Sequence, residues 1–258
     1  MTPLLFALFL HGMNSFKTAI RHIPSGVSLR QELRLVENRT NPRTLKLLTQ
    51  ADPKTIALTF DDGPHPAWTP ALIALLNKLQ VKATFFVVGK MVDKTPWLVR
   101  AEMAMGNEIG NHTYDHPNLD LLTTAQIQEE YRACSNAVQR ATGERPKFCR
   151  PPGGRFDPDV VKAAAREGMW TVLWTDDPGD FAKPDTKTLL SRIDHQMKQG
   201  GILLLHDGIP QTLHILPKLV YELRKRGYRF VTCSELLEQA HPLEVRTAKR
   251  LRTTQGAS

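Results

Sequence analysis

From residue 55 onward, short apolar runs alternate with longer amphipathic stretches. TIALTF at 55–60, ATFFVV at 83–88, EIGN at 108–111, KFC at 147–149, WTVLW at 170–174, GILLL at 201–205 and RFVT at 229–232 read as strands. Between them, apolar residues recur at helical spacing over 68–80, 95–105, 123–142, 158–167, 186–199, 213–226 and 234–240. The clearest helix is LTTAQIQEEYRACSNAVQRATG, with a Thr at its start and Gly143 at its end. Seven βα repeats with short connections predict an α/β fold whose parallel sheet is closed, or nearly closed, into a barrel. Residues 1–54 do not share this rhythm and are expected to form an N-terminal extension to a domain at 55–240, and residues 241–258 a basic tail.

In parallel α/β architectures the chemistry gathers where the loops leave the carboxyl ends of the strands. That rule singles out a few polar residues. Asp61 and Asp62 end the first strand, just before Gly63 and Pro64. One Asp before a Gly closes a turn, but two adjacent carboxylates raise each other's cost of ionisation unless a cation sits close by. After the third strand, NHTYDHPNL offers His112 and His116 four residues apart. Such a pair alone fits capping or buried hydrogen bonding as readily as metal binding. Beside the acid pair, Asp62, His112 and His116 make a two-histidine, one-carboxylate set that leaves positions open for water and substrate. Arg150, in RPPGGRFDP after the fourth strand, is either a surface arginine or a permanent cation forming a two-pronged pair with Asp61. Asp176, Asp177 and Asp180 follow the fifth strand and also fit a plain polar loop. His206 directly follows the apolar run of the sixth, a position that suits a general acid if a buried carboxylate holds its proton. The other histidines have no such placement and read as structural or exposed.

Composition narrows the field. An apolar fraction of 41% over 258 residues is ample for a sizeable core. The three cysteines are widely spaced and imply neither a disulfide framework nor a zinc knuckle. A net charge of +8 fits attraction to an anionic polymer or a merely solvated basic surface. Nucleic acid is disfavoured because the basic residues are dispersed and lack interleaved aromatics. The run PLLFALFL is too short to span a bilayer and has neither a basic flank nor a small-residue cleavage pattern, so it makes a poor secretion signal, and no other stretch is long and apolar enough for a transmembrane helix.

TFDDGP, HTYDHP, RPP, the DDPGDF loop and LLLHD, in that order over about residues 53–240, resemble the motifs of the polysaccharide deacetylase family, the NodB-homology domain of carbohydrate esterase family 4. The resemblance implies a distorted (β/α) barrel of about seven strands and metal-dependent removal of acetyl groups from N-acetylglucosamine in peptidoglycan or chitin-type oligomers. It implies Asp61 as catalytic base, Asp62, His112 and His116 as ligands of one divalent ion (zinc, with cobalt or nickel as alternatives), Arg150 as the holder of the base, Asp180 as the acid that tunes the catalytic histidine, and His206 as general acid. Gly153, Trp174, Phe181 and Leu204 are expected to meet the substrate, with Leu204 against the acetyl methyl. Two positions depart from the family pattern: Gly153 where an aromatic residue usually follows RPP, and Phe181 in place of a tryptophan. The expected partner is a carbohydrate polymer or oligomer, the expected state a monomer, and the expected location the cell envelope or exterior, with the weak signal leaving the cytoplasm open. An amide hydrolase of the same fold acting on a small non-sugar amide or ureide, and a carbohydrate-binding protein without catalysis, are the competing readings.

Overall fold

The computed structural model describes residues 53–196 and 201–240. The expectations for residues 1–52 and 241–258 fall outside that range. Seven strands, β1 (Thr55–Asp61), β2 (Thr84–Val87), β3 (Glu108–Asn111), β4 (Phe148–Cys149), β5 (Trp170–Thr171), β6 (Gly201–His206) and β7 (Arg229–Val231), run parallel wherever they pair. The helices around them are α1 (Thr69–Leu79), α2 (Gly89–Lys94), α3 (Pro96–Ala104), α4 (Thr124–Thr142), α5 (Pro158–Arg166), α6 (Thr186–Gln196), α7 (Pro210–Lys225) and α8 (Cys233–Ala240). All seven strands lie where the apolar runs predict them, although the fifth stops three residues short of the predicted run, at Thr171.

The sheet order is β5-β4-β3-β2-β1-β6. Its two ends meet where Asp176, just past β5, bridges to Leu203 of β6, so the curled sheet nearly closes into the distorted barrel. β7 does not extend the end of the sheet. β6 pairs with β1 from Ile56 to Asp61, β7 pairs with its first half through Thr55, Ile56 and Ala57, and β2 with its second half through Thr59, Phe60 and Asp61. Because a strand has two edges and β6 fills one, β7 and β2 share the other, which the order of runs along the chain does not reveal.

Alternation along β1 does the sorting. Ile56, Leu58 and Phe60 pack with Leu72, Leu76, Leu216 and Leu219 of the surrounding helices. Ala57 points the other way, toward Phe86, Ile202, Leu204 and Val231, and Thr59 and Asp61 follow it at steps of two. Helix α4 has the Thr start and Gly143 end expected of it, and the structure adds a capping box: the Thr123 side chain accepts from the Gln126 N–H, the Gln126 side chain reaches back, and Gly143 closes the helix at φ 82°. Helix α2 was not expected. Its six residues directly after a strand are too few to display a helical period. The three cysteines are buried and unpaired.

Candidate active site

Strand register delivers the chemistry to one rim. Asp61 lies opposite His206 on the neighbouring strand, and Asn111 opposite Cys149, which brings His112 beside Arg150. Asp61 ends β1 buried, on the same face as Thr59. The next residue breaks the alternation: Asp62 adopts a left-handed conformation at φ 73°, costly for a residue with a Cβ, and its carboxylate turns toward the same rim.

The HTYDHP loop is not helical. Thr113 at φ 67° and His116 at φ 62° fold it back, bringing the two imidazole centroids to 4.9 Å. Helix α2 shapes this loop, since the N–H groups of Gly89 and Lys90 donate to the carbonyls of Thr113 and Tyr114. A Cβ on Gly89 would meet the Tyr114 ring at 2.5 Å, so only glycine permits that approach. Glu130 of α4 accepts from the N–H groups of Tyr114 and Asp115, and Asn111 anchors the loop's start through Tyr131 O, Ser135 Oγ and Thr113 N.

Asp62 Oδ1 lies 3.4 Å from His112 Nε2 and 3.2 Å from His116 Nε2. The three donor atoms all fall within 4.8 Å of one another. His112 Nδ1 is 2.7 Å from the Arg150 carbonyl, a contact in which the Nδ1–H donates and which turns Nε2 toward Asp62. Burial opposes ionisation of Asp62, but the hydrogen bonds from His112 and His116 outweigh it and hold the carboxyl well below the usual range. This convergence of one carboxylate oxygen and two imidazole nitrogens fits a divalent cation with borderline-soft preferences, as the sequence implies.

Arg150 is fully buried, so the surface reading of it is wrong. The expected two-pronged pair with Asp61 does not form either. A single Nη1 contact of 2.7 Å reaches Asp61 Oδ1, and the other donors go to Thr59 Oγ1, Val172 O and Leu173 O, because the guanidinium lies 4.1 Å from the Phe86 ring and is fixed by the ends of β1 and β5. Asp61 Oδ2 is left 3.6 Å from His112 Nε2, on the side of the cation donors.

On the far side, Asp180 is fully buried and accepts from His206 Nδ1 at 2.6 Å, from the His206 N–H at 2.8 Å and from Thr212 Oγ1 at 2.6 Å. Burial disfavours the imidazolium, but the hydrogen bond and charge of Asp180, with Asp61 and Asp62 beyond, push the His206 pKa up to about 9. Phe181 packs edge-on against the His206 ring at 5.7 Å and is half-exposed. Gly153, at φ 59°, is exposed, a Cβ there would meet nothing nearer than Arg155 Cγ at 4.0 Å, and its N–H has no hydrogen-bond partner among the described residues. Trp174 is buried rather than lining an open wall. Its ring lies where a Cβ on Gly154 would be, at 2.5 Å, and its Nε1 has no partner among the described residues. Leu204 is likewise buried, in the cluster with Ala57 and Phe86.

Two acids at this rim have no role in the sequence reading, which places Asp177 only in a polar loop and does not single out Asp207. Asp177 is buried, its Oδ1 holding the Gly179 N–H, and burial raises its pKa with His206 and Asp180 nearby. Asp207 is also buried, against the turn after β1. The only available signal was position next to residues that had been singled out, and an Asp before a Gly reads first as a turn.

The geometry agrees with the comparisons. A model of the polysaccharide deacetylase family matches residues 49–172. A peptidoglycan-N-acetylglucosamine deacetylase of Bacillus cereus is 40% identical over 193 residues, covering 73% of this chain and 90% of that one. The chain belongs to the polysaccharide deacetylase family. A chitooligosaccharide deacetylase of Bradyrhizobium sp. is 35% identical over 190 residues, covering 68% of this chain and 87% of its own. Among solved structures, a CE4 family pseudoenzyme from Bacillus anthracis superposes with a TM-score of 0.69 at 30% identity, covering 72% of this chain and 66% of that one. As a polysaccharide deacetylase by family, the chain has its predicted base, acid and cation donors at a single rim.

Proposed function

We propose that the protein is a metal-dependent hydrolase that removes N-acetyl groups from N-acetylglucosamine units of peptidoglycan, with chitin-type oligomers as the second substrate class. The observation that carries this reading is the placement of Asp61 and His206, in register on neighbouring strands, beside the Asp62, His112 and His116 donor set. A divalent ion held by those three residues, with zinc the best match to their chemistry, would supply Lewis-acid activation of the acetamide and of water. Asp61, oriented by Arg150, takes the proton of the attacking water. The Gly153 N–H is free to donate to the oxygen on which negative charge develops. His206, protonated through Asp180, hands its proton to the departing sugar amine. Phe181, half-exposed beside His206, offers an apolar wall. The open space over Gly153 leaves the groove wider there than an aromatic residue would, which suits a branched, peptide-bearing glycan.

A basic chain of this family acting on peptidoglycan belongs at the cell envelope, where anionic polymers attract it. The deciding experiment measures acetate release by zinc-loaded protein from peptidoglycan and from N-acetylglucosamine oligomers side by side. Asp61→Asn should retain its zinc and lose about two to four orders of magnitude in kcat. Near-normal turnover in that variant would remove Asp61 as the base, and no acetate from either substrate with the wild type would remove the deacetylase reading.

A further inference from the structure

We propose that Asp207 is a positioning residue that locks the cation-binding turn after β1 against the strand carrying His206; the proposal rests on the deacetylase reading above. Asp207 is not one of the donors grouped around Asp62. It follows His206 at the end of β6, and both its backbone and its side chain grip the neighbouring turn. Its N–H donates to the Asp61 carbonyl at 2.9 Å. Its Oδ2 accepts from Thr69 Oγ1, a short contact, and from the His65 N–H at 3.4 Å. The His65 N–H also donates to Thr69 Oγ1 at 2.6 Å, and the His65 carbonyl accepts from the N–H groups of Trp68 and Thr69, so the turn leads directly into α1.

Close packing adds to this grip. A Cβ on Gly63 would come within 2.6 Å of Asp207 Oδ2, so the carboxylate lies flat against the backbone of the turn. From the opposite side, the Val88 N–H holds the Gly63 carbonyl at 2.9 Å. Asp62 sits at the centre of this clamp in its left-handed conformation, a state that persists only where the surroundings over-determine it. The carboxylate of Asp207 is kept there at a cost: it is nearly fully buried, and its Oδ1 has no partner among the described residues. Simple packing would not favour a charged group so placed. Holding Asp62 at hydrogen-bonding distance from His112 and His116 accounts for it, as groups outside the ligand set orient metal ligands elsewhere.

The test compares wild type, Asp207→Ala, Asp207→Asn and Thr69→Val by zinc titration calorimetry, acetate-release kinetics and thermal melting. Asp207→Ala should bind zinc about 10- to 100-fold more weakly, the range for partners that orient ligands, with kcat reduced more than KM is raised. Asp207→Asn keeps an acceptor oxygen and should recover most of both properties. Thr69→Val, which retains Asp207, should reproduce the loss, and in combination with Asp207→Ala should add little to it. Thr69→Val alone carries the test if Asp207→Ala fails to fold. Folded variants with lowered melting temperature but wild-type zinc affinity would overturn the proposal, as would an Asn variant as impaired as the Ala one. Wild-type protein that takes up no zinc would sink the hydrolase reading together with this role, whereas wild-type zinc binding that survives Asp207→Ala sinks only the role of Asp207.

Discussion

Against the cost of burial, the titration of His206 is raised chiefly by its buried neighbour Asp180, with Asp61 and Asp62 adding to it. In the folded chain its pKa lies at about 9, against an ordinary value of about 6.5. A histidine whose folded pKa is raised contributes stability that is fully present below about pH 6.5 and is lost as the pH climbs through about 9, of order 3 kcal/mol over that window. Turnover should follow the same group, with kcat falling as the pH rises through about 9 because the sugar amine loses its proton donor. Asp180→Asn removes the charge that sustains the imidazolium. It should move the His206 titration, followed by NMR, and the alkaline limb of kcat downward together. A limb that stays near pH 9 in that variant would show that another group is the donor. At this scale much was legible, because Asp61, Asp62, His112, His116, Arg150 and His206 each sit at a strand end, and position relative to strands can be read from apolar runs. The partners of Arg150 were not legible. Which carbonyls its guanidinium reaches depends on where β5 passes in space, and no local pattern encodes that.

At the scale of elements, α3 buries an acid that the chemistry does not use. Glu102 is fully buried on the helix, and neither carboxylate oxygen has a hydrogen-bond partner among the described residues. Burial, with the charge of Asp207 adding to it, raises its pKa well above the usual range. The folded chain therefore keeps a proton that the unfolded chain releases once the pH passes the ordinary glutamate range, and stability falls as pH rises through that window. Glu102→Met, close in volume and without the polar group, should stabilise the protein by about 1–3 kcal/mol, with the difference in melting temperature from the wild type widening between pH 5 and pH 8. An equal difference at both pH values would mean that Glu102 is already ionised. Helix α2 teaches the opposite lesson about legibility. It is short and lacks a period, yet its first two N–H groups set the path of the histidine loop, so the HTYDHP spacing was readable while the reason for its shape was not.

For the whole molecule, the proposed cation site joins turns that follow β1 and β3, and binding there should act on global stability. Zinc in about 100-fold excess over its dissociation constant adds about 2.7 kcal/mol, which for a domain of this size is worth roughly 5–10 °C in melting temperature. Chelator should reverse the gain, and His112→Ala should show none; an equal rise in that variant would place the ion elsewhere. The parallel barrel was readable from the recurrence of strand and helix patterns. The position of β7 was not, since nothing in RFVT specifies pairing with β1 in place of β6.

That position has a consequence for how the protein matures. β1 is synthesised first among these strands, yet one edge of it is filled by β6 and half of the other by β7, the two made last. Until residue 231 has left the ribosome, the ladder of the strand that ends at Asp61 is unfinished. The nascent chain thus carries the proposed ligands before the frame that holds them, and catalytic competence is deferred until β7 has emerged.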